Sequence, residues 1–306
     1  MKVLLATQKP FAPQAVESIS KIVLQSGHTI EVLEKYESEA ELAQALKGVQ
    51  ALIVRSDKVG AQTIAQADDL KIIVRAGAGY DNIDLEAATK AGVVVMNTPG
   101  QNANAVAELA IGLMIYMARN QFNPSTGVEI AGKTLGIQGF GNVGSLVAAK
   151  ALALGMKVRA FDPVKSDEDM LVRGVEPTSS VKTLYADCDY ISLNLPLVTV
   201  TERSVGYDLL SAMPKGGVLI NTARKEIVDE SGLERALEER SDIKYASDVA
   251  PDNYAALREK FGLRVYANSK KMGAQTAEAN LNAGLAAARQ IVDYFETGNV
   301  KFQVNK

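Results

Sequence analysis

The chain has 306 residues, 47% hydrophobic and 23% charged, with a formal net charge of −3 at pH 7. That length suits two domains with buried cores, and with no basic stripe or long run of like charge, nucleic acid and anionic membrane are poor partners. A single cysteine, Cys188, allows no intrachain disulfide and suits a reducing, cytoplasmic setting.

From the N-terminus, MKVLLATQKP is too short in apolar residues for a signal peptide. Strands are predicted at KVLLAT, TIEVLE, ALIVRS, KIIVRA and VVVMNT, with amphipathic helices between them, among them Ala12–Gln25 and Leu85–Ala91. This alternation argues for a parallel, doubly wound sheet whose strands are covered on both faces. Residues 102–119 form a long, mostly apolar helix, interrupted by Glu108 and short of a bilayer span. The stretch NQFNPSTG then breaks the chain. A second series follows at KTLGIQ, KVRAFD, YISLNL, GGVLINT, IKYASDV and RVYAN, and a last helix over 277–296 stops at Gly298. Two α/β domains are expected. Periodicity leaves open which of them the last helix joins. Cys188, at the start of an apolar strand with no histidine near it, reads as a buried bystander.

The second series opens on a phosphate cradle, Gly139-Phe140-Gly141-Asn142-Val143-Gly144. A GxGxxG pattern alone is weak evidence, but here an apolar strand precedes it and an Ala/Leu-rich helix follows. Gly139 permits the tight turn, Gly141 lets the backbone approach a pyrophosphate, and Gly144 lets helix and strand pack closely. The helix N-terminus offers unpaired N–H groups to the phosphates. Asp162 ends the next strand at about the expected separation; its carboxylate accepts from ribose hydroxyls and repels a 2′-phosphate, which favours NAD over NADP.

With the cradle and Asp162 in hand, GAGYDNIDLEAATKAGVVVMNTPG, NANAVAELAIGLM, LNLPLVTVT, NTARKEIVDE, ASDV and MGAQTAEA complete a pattern that resembles the D-2-hydroxyacid dehydrogenase family, nearest to its short-form D-3-phosphoglycerate dehydrogenase branch. The resemblance is densest from Val54 to Gly298. It implies two doubly wound parallel-sheet domains, a Rossmann-type cofactor domain (100–279) inserted into a flavodoxin-like substrate domain (1–99 plus 280–306), with substrate in the cleft between them. It also implies NAD as cofactor, no metal, and a homodimer formed through the cofactor domain. Feedback through an appended regulatory domain is not expected of the short form.

The resemblance further assigns roles by position. Arg224 matches the arginine that holds the substrate carboxylate and polarises the keto oxygen, for which a planar, permanently charged fork is suited. Arg55 and Arg75 match positions facing a substrate phosphate, and Ala76-Gly77-Ala78 matches the backbone loop that grips the carboxylate. Pro196, Thr201, Thr222, Ala223, Gly273 and Val106 line the cofactor, and Asp248 contacts the nicotinamide carboxamide. The chain departs from the family at the catalytic pair. Lys271 stands in the slot of the general acid/base histidine, and Asn253, beside Asp252, in that of its glutamate partner. The only histidine, His28, lies far upstream in a turn. The double change is coherent. A lysine that accepts a proton must first be neutral; burial and a nearby guanidinium favour that form, whereas a carboxylate opposes it. Lys271 is therefore expected as general acid/base, with Asn253 in support. The expected reaction is oxidation of D-3-phosphoglycerate. Alternatives are a glyoxylate, hydroxypyruvate or D-lactate type reductase, or an NAD(H)-sensing protein without turnover.

Overall fold

A computed structural model describes residues 1–305. They fold as two compact units: Met1–Asn102 together with the chain from Gln275 onward, and Ala103–Ala274.

In the first unit, strands β1 (Lys2–Thr7), β2 (Thr29–Glu34), β3 (Ala51–Val54), β4 (Ile72–Arg75) and β5 (Val94–Asn97) form one parallel sheet in the order β2-β1-β3-β4-β5. Successive side chains of β1 alternate between two cores. Leu4 and Ala6 join Leu52, Ile73 and Leu42 on one face; Val3 and Leu5 join Ile53, Val74, Ile19 and Val23 on the other. The inner strands are accordingly apolar except at their ends, as a sheet covered on both faces requires. β2 departs from that expectation, because no residue of it is buried. It is an edge strand, paired only with β1, and its sequence TIEVLE places charge along a solvated rim.

The last helix, Ala277–Thr297, is capped by Thr276, whose Oγ1 accepts from the Ala279 N–H at 3.1 Å, and ends at Gly298 with φ 74°. It belongs to the first unit, buries Ala279, Ala283, Gly284, Ala287 and Ile291, and packs on the Pro13–Gln25 helix as well as on β3 and β4. A Cβ on Gly284 would lie 2.5 Å from Ile19 Cδ1, so glycine is what permits this approach. At the free edge of β5, the Val304 N–H donates to Val95 O (2.8 Å) and the Asn305 side chain continues the pairing. Asn305 Oδ1 accepts from the Val95 N–H at 2.7 Å, and Nδ2 donates to Val93 O at 2.9 Å and Thr89 Oγ1 at 3.1 Å.

In the second unit, β6 (Thr134–Gln138), β7 (Lys157–Phe161), β8 (Glu176–Pro177), β9 (Tyr190–Leu193), β10 (Val218–Asn221), β11 (Lys244–Ser247) and β12 (Val265–Ala267) lie in the order β12-β11-β10-β9-β6-β7-β8, all parallel. The sequence pattern had not revealed β8, which is only two residues long. Chain direction across the sheet reverses between β6 and β9, the place where doubly wound sheets open a crevice for ligands. The Ala103–Ala118 helix is apolar on several sides because Ala107, Ala110, Leu113, Met114 and Met117 are buried in this unit's own core. Lys244 Nζ donates to Met117 O at 3.1 Å, satisfying one carbonyl at that helix's C-terminus.

Cys188 is fully buried, and burial pushes its thiol pKa up to about 12, so it is chemically quiet. His28 packs edge-on against Phe295 at 5.7 Å. Among the described residues, no helix is long and apolar enough to cross a membrane.

Candidate active site

The second unit gathers its predicted residues at the carboxyl ends of β6, β9, β10 and β11. Directly after β6, Gly139 has φ +92°, and a Cβ there would meet Asn194 O, beyond the end of β9, at 2.7 Å. The Asn142–Ala153 helix starts immediately, with Gly141 at its N-cap. Nothing lies within 4 Å of a Cβ placed on Gly141, so its backbone is bare on the side a pyrophosphate approaches. Gly144 is required for a different reason: its Cβ would sit 2.0 Å from Gly139 O. Backbone cannot yield there, so Gly144→Ala is expected to destabilise this unit at the upper end of about 1–3 kcal/mol and to weaken dinucleotide binding. Thermal unfolding and a fluorescence titration with the dinucleotide would check this.

Asp162 lies just beyond β7. Its Oδ2 accepts from the Phe140 N–H at 2.7 Å and its Oδ1 from the Val164 N–H at 2.9 Å. The carboxylate is thus locked onto the Gly-rich turn, with lone pairs left for ribose hydroxyls. A hollow of about 710 Å³ runs beside Phe161, Pro163, Leu195 and Thr201, offering apolar walls to a flat base. Thr201 shapes its rim: its Oγ1 donates to Pro196 O at 2.6 Å and accepts from the Val198 N–H at 2.9 Å. Two buried oxygens at the strand ends, Thr222 Oγ1 and Asn194 Oδ1, have no hydrogen-bond partner. Buried polar atoms without partners are costly, and here they follow β9 and β10, on one side of the sheet's switch point. The bare Gly141 backbone, the locked Asp162 and these two oxygens fit a dinucleotide. Asn194 was not singled out from the sequence, although it stands in the quoted motif LNLPLVTVT.

Arg224 follows β10 in extended conformation, held by Asn221 Nδ2 donating to its carbonyl at 2.9 Å; its Nη1 donates to Ala223 O at 3.0 Å. After β11, Asp248 is 1% exposed. Its Oδ1 accepts from Met272 N–H at 2.9 Å and Asn268 Nδ2 at 3.0 Å, and its Oδ2 from Gly273 N–H at 3.0 Å. Two of these donors immediately follow Lys271, so Asp248 anchors the segment that carries that lysine. Lys271 itself is exposed, so the burial expected to favour its neutral form is not present here. A Cβ on Gly273 would lie 2.9 Å from Asp248 Oδ2 and 3.4 Å from Val106 Cγ2, which brings Val106, Asp248 and Gly273 together.

Asn253 starts the Tyr254–Phe261 helix, and its Oδ1 is buried without a partner. Its N–H and that of Asp252 donate to the Glu230 carboxylate at 3.3 and 2.8 Å. Asp252 is engaged elsewhere: it pairs with Lys225, and this hydrogen bond raises the lysine's pKa. Asp252 keeps its second carboxylate oxygen toward solvent, whereas the Asn253 oxygen is buried. Neither Glu230 nor Asn268 was expected; both act through backbone or amide contacts that spacing does not reveal.

In the first unit, Arg55 follows β3 and Arg75 ends β4. Arg75 Nε donates to Arg55 O at 2.7 Å. The Arg75 guanidinium also lies over the Ala76-Gly77-Ala78 loop, since a Cβ on Gly77 would fall 1.5 Å from Arg75 Nη1. Asp57 is 2% exposed and accepts from the Arg55 N–H (3.1 Å), the Gln8 N–H (2.6 Å) and Tyr36 Oη (3.0 Å), which ties the ends of β1 and β3 together. Among the described residues, no group of three His, Cys, Asp or Glu side chains is placed to hold a metal ion.

A family model described as D-isomer specific 2-hydroxyacid dehydrogenase, catalytic domain, matches residues 3–305. The chain is 36% identical to the hydroxypyruvate reductase of Thermotoga maritima, over 88% of this chain and 92% of that protein. It is 34% identical to the D-3-phosphoglycerate dehydrogenase of Methanocaldococcus jannaschii over 92% of this chain, and spans only 54% of that longer protein. Among solved structures, the NAD+-bound 3-phosphoglycerate dehydrogenase of Entamoeba histolytica superposes with a TM-score of 0.89 at 46% identity, covering 100% of this chain and 99% of that one.

Proposed function

The chain belongs to the D-isomer specific 2-hydroxyacid dehydrogenase family, and on that premise we propose that it is an NAD-dependent D-3-phosphoglycerate dehydrogenase. The observation that carries the substrate choice is the pairing of Arg55 and Arg75 at the carboxyl ends of adjacent strands, two guanidinium forks of the kind that suit a dianionic phosphate. The Ala103–Ala274 unit binds the cofactor and the other unit the substrate. Two copies pair through the cofactor-binding unit, where Phe122 and Val128 are 67% and 53% exposed.

Bound NAD supplies the hydride acceptor. Asp162 receives ribose hydroxyls, and the bare turn at Gly141 receives the pyrophosphate. Arg224 holds the substrate carboxylate and stabilises the negative charge that develops on the C2 oxygen. Lys271 Nζ takes the hydroxyl proton during oxidation and returns it during reduction. Asn253 orients without adding the negative charge that would hold the amine protonated.

The test is NADH oxidation with 3-phosphohydroxypyruvate against hydroxypyruvate. The phosphorylated substrate is expected to be favoured in kcat/KM by about 100-fold, the worth of roughly 3 kcal/mol of charge-assisted hydrogen bonding. Equal use of both would favour the unphosphorylated activity named for the Thermotoga relative. Dinucleotide binding without turnover of either would leave a sensing role.

A further inference from the structure

The first unit has a switch point of its own. In the order β2-β1-β3-β4-β5, the direction in which strands are added reverses between the parallel strands β1 and β3, and a doubly wound sheet places ligands outside the carboxyl ends of those strands. Arg55 bridges that point. Its Nη1 donates to Lys9 O, beyond β1, at 3.3 Å; its Nη2 donates to Asn280 Oδ1 at 2.7 Å; and its guanidinium lies 4.9 Å from the centroid of the buried Phe11 ring. All three partners are neutral. Asp57, two residues on, accepts from backbone N–H groups and Tyr36, and no carboxylate forms an ion pair with the guanidinium among the described residues. Burial lowers the Arg55 pKa, with Asp57 acting in the opposite sense; an arginine nevertheless stays charged.

A half-buried cation framed by a carbonyl, an amide and an aromatic ring is held in place without being neutralised. Such an arrangement is preorganised for an anion, since little side-chain freedom is left to lose on binding. Asn280 reaches it because the Ala277–Thr297 helix packs closely on Pro13–Gln25 at Gly284, where a Cβ would also touch Phe11 at 3.4 Å. Asparagine is chemically apt here: an aspartate would make the same hydrogen bond but cancel the charge the phosphate needs.

We propose that Asn280 is the positioning residue that holds Arg55 for the phosphate of a three-carbon hydroxy acid, and thereby sets the preference for phosphorylated over unphosphorylated substrate. This rests on the phosphoglycerate reading above. The test compares 3-phosphohydroxypyruvate with hydroxypyruvate on the wild-type protein, Asn280→Ala and Asn280→Asp, with thermal unfolding followed in parallel. In Asn280→Ala the ratio of kcat/KM values is expected to fall about tenfold, the loss of one charged hydrogen bond, through KM for the phosphorylated substrate rather than kcat. Asn280→Asp is expected to lower the ratio further although its hydrogen bond to Arg55 survives. If the wild type prefers the phosphorylated substrate and neither variant changes the ratio, the inference falls and the phosphoglycerate reading stands. A purely structural role, with Asn280→Asp behaving as wild type and Asn280→Ala losing stability and both activities together, also overturns it. A wild type with no preference overturns the reading itself.

Discussion

Replacing Lys271 with alanine is expected to lower turnover of the hydroxy acid by about 10²- to 10⁴-fold, the usual worth of a positioned general acid/base. Dinucleotide affinity should stay near the wild-type value, because the cradle at Gly139–Gly144 and the carboxylate of Asp162 lie on other strands. Lys271→Arg should fail as badly as alanine, since a guanidinium keeps the charge but does not release its proton in the working range. Primary amines added to the alanine variant should restore part of the rate. Single-turnover measurement of NADH formation is the direct check. Wild-type rates in both variants would remove Lys271 from the chemistry and leave the family's histidine slot without a successor.

Asp248→Asn should produce the second large loss. Asp248 is buried and accepts from three donors, two of them the backbone N–H groups of Met272 and Gly273. An asparagine turns an NH₂ group toward at least one of those N–H groups, leaving a buried donor unpaired at a cost of roughly 1–3 kcal/mol. The segment that follows Lys271 then loses its anchor, and misplacing a reactive group by about 1 Å can cost 10²-fold in rate. The expected result is a kcat reduced by about 10- to 100-fold together with a lower unfolding temperature. If instead only dinucleotide affinity suffers, contact with the nicotinamide carboxamide is the main task of Asp248, and its bonds to Met272 and Gly273 are incidental.

The sequence made the sheet-forming runs and the phosphate cradle readable because both depend on local rules: apolar continuity, glycine spacing, and an acidic residue at the end of the next strand. The exposure of β2 was harder to read. TIEVLE has strand composition, but only its place at the edge of the sheet determines that both its faces meet water. The two-residue β8 is too short to show any period. At the site, Asp248 was legible as a strand-end carboxylate, yet its bonds reach residues 20 to 25 positions away. The Arg55–Asn280 contact spans 225 positions, and no local pattern announces it. Asn253 and Asp252 could not be ranked from spacing, and the partner of Asp252, Lys225, lies 27 positions away in sequence.

The amide of Asn305 at the β5 edge has a bearing on how this protein behaves in company. An open strand edge is a template on which another polypeptide can add itself, in aggregation as in fibre growth. Here one side chain uses the donors and acceptors such an intruder would need, at Val95 and Val93. On the opposite rim, Glu31 pairs with Lys2 across to β1, and Glu34 leaves negative charge where a second chain would have to dock. Both flanks of the first unit's sheet are thus made unattractive to strangers by different means, one by occupation and one by repulsion.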